Sequence, residues 1–182
     1  MIILFDQDGP LANETARLFE VFKERFPKDA AIHSGVRTHF KLTDNFPPHL
    51  HGAIEDIRRE KGFYLSFPPV EGSVEAFRVM LSRGHEVFIC TSFMAAATRS
   101  PYCISEKFEW VERHMGSEFV GRILVVRDKT AVRGDILIDD KPTVSGRLQP
   151  MWEHIIFDAP YNRQIKNRRR LTWQNWRTAL PL

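Results

Sequence analysis

Two carboxylates, those of Asp6 and Asp8, directly follow the first apolar run of the chain. One residue separates them, and Gly9 comes next. At this spacing both side chains can converge on one phosphate. Asp6 could then attack phosphorus and hold a cation, while Asp8 protonates the leaving alkoxide and later deprotonates a water molecule. Gly9 permits the sharp turn that this geometry needs. An ordinary acidic β-turn has the same local sequence, so the motif alone leaves both interpretations open.

Three more sets of polar residues follow later apolar runs. Thr91 and Ser92 offer hydroxyl and backbone N–H groups for phosphate oxygens, although these residue types also cap helices. Lys129 offers a cation that neutralises a phosphoryl group, although most lysines are simply solvated. Asp139 and Asp140 bring two carboxylates together after a buried run, which is costly unless a cation compensates them. Magnesium, which prefers oxygen ligands, would be such a cation.

The elements that must position these residues are short apolar runs separated by helical patterns. The runs are residues 2–5, 86–90, 123–126, 136–138 and 154–157. Their unbroken hydrophobicity is typical of parallel strands covered on both faces. The alternation of strands and helices predicts an α/β fold with a doubly wound parallel sheet. Ligands bind at the carboxyl ends of the strands in such sheets, where these polar residues lie.

A long segment, residues 13–69, separates the first and second runs and exceeds one crossover connection. It contains helical patterns at residues 16–26 and 52–61. We therefore predict a small helical cap inserted after the first strand, with residues 1–12 and 70–182 forming the core. The histidines of this segment are irregularly spaced and have no cysteine partners, so we interpret them as cap surface rather than a metal cluster. They are His33, His39, His49 and His51.

Composition excludes several classes of protein. The 182 residues are 43% apolar and 27% charged, which fits one globular domain rather than a disordered chain. Two cysteines are too few for a disulfide scaffold. The N-terminus lacks the basic region of a signal peptide, and no apolar stretch is long enough to span a membrane. We therefore expect a soluble cytoplasmic protein without a membrane partner.

Two features near the C-terminus have structural interpretations. The run Arg168 to Arg170 could touch nucleic acid, but a solvated turn before a final helix is the favoured interpretation. Trp173 and Trp176 stand three residues apart and are expected to pack that helix onto the sheet. We accordingly expect no nucleic-acid polymer as a partner.

The motifs, taken in chain order, resemble the signature of the haloacid-dehalogenase (HAD) superfamily: Asp-x-Asp, then Thr or Ser, then Lys, then paired Asp. In that pattern P-type ATPases carry threonine at the place of Asp8, and dehalogenases lack the second aspartate. Asp8 therefore favours hydrolysis of phosphate esters. A cysteine phosphatase is excluded, because Ala96 stands where its arginine would follow Cys90.

Longer motifs resemble the 5′(3′)-deoxyribonucleotidases of cytosolic and mitochondrial type and their bacterial relatives. They are DQDGPLA at residues 6–12, FICTS at 88–92, KFEWVE at 107–112, RDKT at 127–130, LIDDKP at 137–142 and WEH at 152–154. Together they extend the resemblance over nearly the whole chain. The resemblance implies a Mg²⁺-dependent phosphomonoesterase that hydrolyses nucleoside monophosphates, with deoxyuridine and thymidine monophosphates as typical substrates.

The same resemblance assigns roles to individual residues. It implies that Mg²⁺ is bound by the side chains of Asp6 and Asp140 and by the backbone carbonyl of Asp8, with Asp139 in support. Phosphate binding falls to Thr91, Ser92, Lys107 and Lys129, and Phe40 lies where an aromatic residue contacts the nucleoside.

Two positions depart from the family pattern. Glu14 and Lys41 stand where the family has aromatic residues of the nucleoside pocket. Since a stacked aromatic contact contributes about 1 kcal/mol, a base would lose part of its platform. We expect these two charges either to pair with each other or to contact polar groups of the substrate. The pyrimidine preference should then be weaker than in the family.

Other functions stay open on the sequence. A HAD phosphatase for another small phosphate ester would suit Glu14 and Lys41. A non-catalytic nucleotide-binding module would require the loss of a catalytic residue, and all of them are present. The sequence leaves the oligomeric state open, and a homodimer is compatible with it.

Overall fold

A computed structural model describes residues 1–31, 33–93 and 100–180 and contains a six-stranded parallel sheet. The strands are β1 (Ile2–Phe5), β2 (Glu86–Thr91), β3 (Ile123–Val125), β4 (Ile136–Asp139), β5 (Glu153–Phe157) and β6 (Arg170–Leu171). Their order across the sheet is β3-β2-β1-β4-β5-β6. The predicted doubly wound parallel sheet is confirmed. The strand order reverses between β1 and β4, which is where such sheets bind ligands.

Helices of the described residues connect these strands. They are α1 (Glu14–Arg25), α2 (Pro27–Ala30), α3 (His51–Arg59), α4 (Ser73–Ser82), α5 (Cys103–His114) and α6 (Trp176–Ala179). Short 3₁₀ turns cover Leu42–Asn45, Pro48–Leu50, Tyr64–Ser66, Ser117–Arg122, Lys129–Ala131 and Pro160–Asn162. Asn13 begins α1 as its cap, because its side chain accepts a hydrogen bond from the Ala16 N–H at 3.0 Å. None of these helices has the length and apolar character needed to cross a membrane.

The inserted segment is helical, as expected, but it shares its hydrophobic core with the sheet. Phe22 and Ile54 of the segment belong to the same buried cluster as Ile3 and Phe5 of β1. The predicted division into core residues 1–12 and 70–182 and cap residues 13–69 therefore does not correspond to two separate cores. Where one unit ends and the other begins stays a prediction.

The C-terminal region corrects one interpretation. Arg170 belongs to β6 and donates from Nη2 to Asp158 at 2.6 Å, while Arg169 pairs with Glu153 at 2.9 Å. The arginine run is thus tied to the edge of the sheet and is not merely a solvated turn. Trp173 lies before α6 and donates its indole N–H to the Pro10 carbonyl at 2.6 Å. The strand β6 was not predicted because two residues are too few to leave a periodic signal in the sequence.

The histidine interpretation was wrong for His33. This side chain is half-buried, and its ring stacks on Phe46 with the ring centres 5.3 Å apart. It also contacts Phe19 and Phe22 of α1. His33 therefore belongs to the aromatic packing of the inserted segment, whereas His39 and His49 are exposed.

Candidate active site

The loop after β1 brings its carboxylates against the end of β4. Gly9 has a φ of +103°, and a Cβ atom at this position would lie 2.6 Å from Cγ of Asp140. The loop is closed by a backbone hydrogen bond from Ala12 to the Gln7 carbonyl at 2.8 Å. A glycine is therefore required at position 9 for two reasons, the left-handed backbone and the close approach of Asp140.

Lys129 connects the ends of β1 and β4. Its Nζ lies 2.8 Å from Asp6 Oδ1 and 2.7 Å from Asp139 Oδ2. Burial disfavours the ammonium, but the carboxylates of Asp139 and Asp6 outweigh it and hold the pKa of Lys129 above its usual range. Burial alone would raise the pKa of Asp139, yet Lys129 holds it below its usual value. Asp139 also accepts a hydrogen bond from the Lys141 N–H at 2.8 Å, so it is positioned to orient Lys129.

The remaining carboxylates leave an excess of negative charge. Carboxylate oxygens of Asp6, Asp139 and Asp140 lie within 4.8 Å of one another. Burial raises the pKa of Asp6 to about 7, with Lys129 offsetting only part of the effect. Burial and the neighbouring carboxylates raise the pKa of Asp140 to about 8. A divalent cation would compensate this charge, and a cluster of hard oxygen donors fits Mg²⁺.

Lys107 of α5 is the second buried cation. Its Nζ donates to Asp8 Oδ2 at 2.7 Å, to Thr91 Oγ1 at 2.7 Å and to the Ser92 carbonyl at 2.9 Å. These three bonds use all the donors of a lysine ammonium. Gln7 holds the Lys107 backbone through its side-chain amide at 3.0 Å. Lys107 thus joins the end of β2 to the second aspartate of the β1 loop.

The inserted segment covers these groups and leaves a cavity of about 530 Å³. Asp6, Asp8 and Asp140 line it from the strand ends, and Phe40 lines it from the inserted segment. The cavity volume lies within the range of small-molecule sites, roughly 300–1,000 Å³. Phe40 is 37% exposed, so its ring is available to a ligand.

Of the two alternatives expected for Glu14 and Lys41, the first, that they pair with each other, was wrong. Glu14 lies between two guanidinium groups, with Arg58 at 3.3 Å and Arg37 at 3.8 Å. Lys41 instead pairs with Asp44 at 3.0 Å, and 72% of its side chain is exposed. The helix that carries Arg58 packs beside α1, which brings a guanidinium closer to Glu14 than the flexible Lys41 side chain.

Sequence reasoning missed several residues in and beside the cavity. Tyr161 donates its hydroxyl hydrogen to Asp140, and the Arg37 guanidinium lies 4.3 Å from the centre of its ring. Tyr161 follows β5, so the rule that singled out polar residues after strands could have found it. Arg37 and Arg58 left no signal, because they lie in the inserted segment with no strand end to mark them.

A family model described as "5′ nucleotidase, deoxy (Pyrimidine), cytosolic type C protein" matches residues 1–180. A predicted 5′(3′)-deoxyribonucleotidase of Bordetella bronchiseptica is 43% identical over 99% of this chain and 95% of its own length. The human 5′(3′)-deoxyribonucleotidase of cytosolic type is 39% identical over 98% of this chain and 92% of its own length. These similarities confirm the resemblance found in the motifs.

Solved structures confirm the fold. A HAD family hydrolase from Deinococcus radiodurans with bound phosphate and sodium has a TM-score of 0.53 at 18% identity, over 98% of this chain and 93% of that chain. A predicted beta-phosphoglucomutase from Thermotoga maritima has a TM-score of 0.54 at 13% identity, over 96% of this chain and 95% of that chain. Since the motifs and the relatives agree, this chain, which has the fold of HAD hydrolases, is a phosphoric monoester hydrolase and belongs to the cytosolic type C family of 5′ deoxynucleotidases.

Proposed function

We propose that this protein is a Mg²⁺-dependent phosphatase of deoxynucleoside monophosphates that forms an aspartyl-phosphate on Asp6. The observation that carries the proposal is the arrangement around Asp6. Its carboxylate faces the cavity, lies 2.8 Å from the Lys129 ammonium and belongs to a cluster of buried carboxylates. The substrate class is supported by the names of the relatives, which are 5′(3′)-deoxyribonucleotidases.

Asp6 and Asp8 divide the chemistry between them. The Asp6 oxygen forms a bond to phosphorus as the ester P–O bond breaks, and the leaving oxygen takes a proton from Asp8. Lys107 holds Oδ2 of Asp8, while the buried Oδ1 has no partner within the part of the chain that the structure describes. In the second half, Asp8 removes a proton from water, whose oxygen attacks phosphorus and releases Asp6 and phosphate.

The other residues hold the phosphoryl group and the nucleophile. Lys129 neutralises charge beside Asp6, and Asp139 keeps Lys129 in place. Thr91 and Ser92 are proposed to contact phosphate oxygens from the end of β2. Mg²⁺, bound by Asp6, Asp140 and the Asp8 carbonyl, would supply further positive charge to the phosphoryl oxygens. We also propose that residues 13–69 act as a cap, that Phe40 contacts the nucleoside and that the protein is cytoplasmic.

A phosphate-release assay tests this function. Deoxynucleoside monophosphates are offered with Mg²⁺, then with EDTA, and then with Mg²⁺ in excess of EDTA. We expect hydrolysis that EDTA abolishes and Mg²⁺ restores, and we expect beryllium fluoride to inhibit by mimicking a phosphoryl group on Asp6. Activity that persists without divalent cations would contradict the metal assignment. Hydrolysis of other phosphate esters but of no nucleotide would favour the alternative, a HAD phosphatase of another small ester.

A further inference from the structure

Three polar residues of the inserted segment line the same cavity as Asp6 and Asp8. Glu14 begins α1, Arg58 lies near the end of α3, and Tyr64 begins the turn Tyr64–Ser66. Glu14 is 7% exposed and Tyr64 is 2% exposed. Polar side chains buried to this extent normally have their hydrogen bonds satisfied within the protein.

Two of these groups are not satisfied. Among residues 1–31, 33–93 and 100–180, neither Nε of Arg58 nor the hydroxyl of Tyr64 has a hydrogen-bond partner. A buried donor without a partner costs free energy, so it indicates that a bound molecule supplies the missing hydrogen bond. Both residues line the cavity, so a ligand bound there lies next to them.

Glu14 also keeps capacity for a further partner. Its oxygens lie 3.3 Å from Arg58 and 3.8 Å from Arg37, whereas close contacts between guanidinium and carboxylate groups are about 2.7–2.9 Å. Arg37 is occupied elsewhere, because it donates to the carbonyl of Phe40 and to the Thr15 hydroxyl. The ion pairs with Arg58 and Arg37 therefore leave the Glu14 carboxylate able to accept a further hydrogen bond.

The position of Tyr64 relates this cluster to the leaving group. Lys107, which holds Asp8, lies 5.9 Å from the centre of the Tyr64 ring. Tyr64 itself is fixed, because Glu106 accepts its backbone N–H at 3.0 Å and that of Leu65 at 3.3 Å. In the proposed mechanism the leaving group departs toward Asp8. The alcohol portion of the ester therefore faces Tyr64 and the other polar residues of this cluster.

We infer that Glu14, Arg58 and Tyr64 form a site that selects the nucleobase by hydrogen bonds to its edge. The inference rests on the function proposed above and specifies how it chooses substrates. A carboxylate accepts an N–H, whereas a guanidinium and a phenol donate to a carbonyl oxygen. The edges of uracil and guanine present an N–H beside such a carbonyl. A polar site of this kind rejects an analogue that cannot make its hydrogen bonds, because its buried groups then stay unpaired.

The test compares substrates that differ only at the base edge. Deoxyuridine and deoxyguanosine monophosphates are compared with their N3-methyl and N1-methyl derivatives, and deoxyribose 5-phosphate serves as an ester without a base. For the wild-type protein we expect methylation to lower kcat/KM by about 100-fold for at least one of the two nucleotides. Equal kcat/KM for methylated and unmethylated substrates would overturn the inference.

Two variants identify the residues. Tyr64→Phe removes only the hydroxyl, and Glu14→Gln removes only the charge. In each we expect kcat/KM for nucleotides to fall about 10-fold further than for deoxyribose 5-phosphate, mainly through KM. In Glu14→Gln the penalty for base methylation should shrink. Tyr102→Phe, at an exposed tyrosine, and Glu20→Gln, whose side chain is 60% exposed, are the matched controls and should not change these ratios.

A purely structural role gives a different result. If the cluster only ties α1 to α3, the variants lower Tm and reduce kcat/KM for all esters by the same factor, which overturns the inference. Hydrolysis of deoxyribose 5-phosphate that depends on Asp6 but shows no base discrimination overturns the inference and leaves the phosphatase function intact. A protein that hydrolyses none of these esters overturns both.

Discussion

At the ends of the strands, Lys129 lies 2.8 Å from Asp6, and Lys107 lies 2.7 Å from Asp8. In the inserted segment that lines the same cavity, Glu14 lies 3.3 Å from its nearer guanidinium partner. Both regions bury charge, but the strand ends pair it closely and the inserted segment pairs it loosely. The strand ends are proposed to bind the phosphoryl group, which is the same in every ester, so their geometry can be fixed in advance. The inserted segment is proposed to contact the variable part of the substrate, for which it keeps unfilled hydrogen-bonding capacity.

The largest expected effect comes from the closely paired region. Asp6→Asn removes the proposed nucleophile and one anionic oxygen of the proposed metal site. We expect kcat to fall by about 10⁵-fold or more, as in other enzymes that lose a nucleophile. Phosphate release measures this. Asp56→Asn is the control, because its side chain is 72% exposed and should leave kcat unchanged. Residual Asp6→Asn activity of a few per cent would contradict the assignment of the nucleophile.

Lys129→Met breaks the close pairing but leaves Asp6, the proposed nucleophile, unmutated. The variant leaves Asp6 and Asp139 buried without their cation, which should lower the free energy of unfolding by about 3 kcal/mol and kcat by about 10³-fold. Denaturant unfolding and phosphate release measure the two effects. Lys166→Met, at an exposed lysine that does not line the cavity, is the control. Unchanged stability would show that the Lys129 charge is not needed to balance the carboxylates.

The pH dependence of stability sharpens the role of the carboxylate cluster. The folded pKa values of Asp6 and Asp140, about 7 and about 8, exceed the unfolded value of about 4. Between about pH 4 and pH 8 the folded state then binds more protons than the unfolded state. The free energy of unfolding therefore falls as pH rises across this range. Without divalent cations we expect Tm to fall by roughly 10 °C or more from pH 5 to pH 8.

Mg²⁺ binds the ionised carboxylates, so it should raise Tm more at pH 8 than at pH 5. Thermal unfolding with and without Mg²⁺ measures both effects. In Asp140→Asn the pH dependence should be shallower and the Mg²⁺ effect smaller. A Mg²⁺ effect of equal size in the variant would place the cation elsewhere.

The smallest effect is expected at Lys41. Its side chain is 72% exposed and pairs with Asp44 three residues away, where solvent screens the interaction. Lys41→Ala should therefore change kcat/KM by less than about 3-fold for every nucleotide. The same assay on Glu14→Gln gives the contrast. A larger effect at Lys41 than at Glu14 would reverse the assignment of the specificity residues.

Much of the closely paired region could be predicted from the sequence. Unbroken apolar runs mark buried strands, and the ends of parallel strands meet at one edge of the sheet. The residues that follow those runs, such as Asp6, Lys129 and Asp139, are therefore brought together by a local pattern. Lys107 lies on a helix, where no strand end marks it, and only the family motif singled it out.

The sequence by itself determined the sheet, the strand-end carboxylates and the family. Only the tertiary structure decided the partner of Glu14, since Arg58 lies 44 residues away on another helix. Tyr161 likewise reaches Asp140 across 21 residues through a turn after β5. Neither contact belongs to a helical or strand period, so no sequence pattern records it. The groups proposed to carry the phosphate chemistry could thus be predicted along the chain, whereas the groups proposed to choose the substrate come together only where separate helices pack.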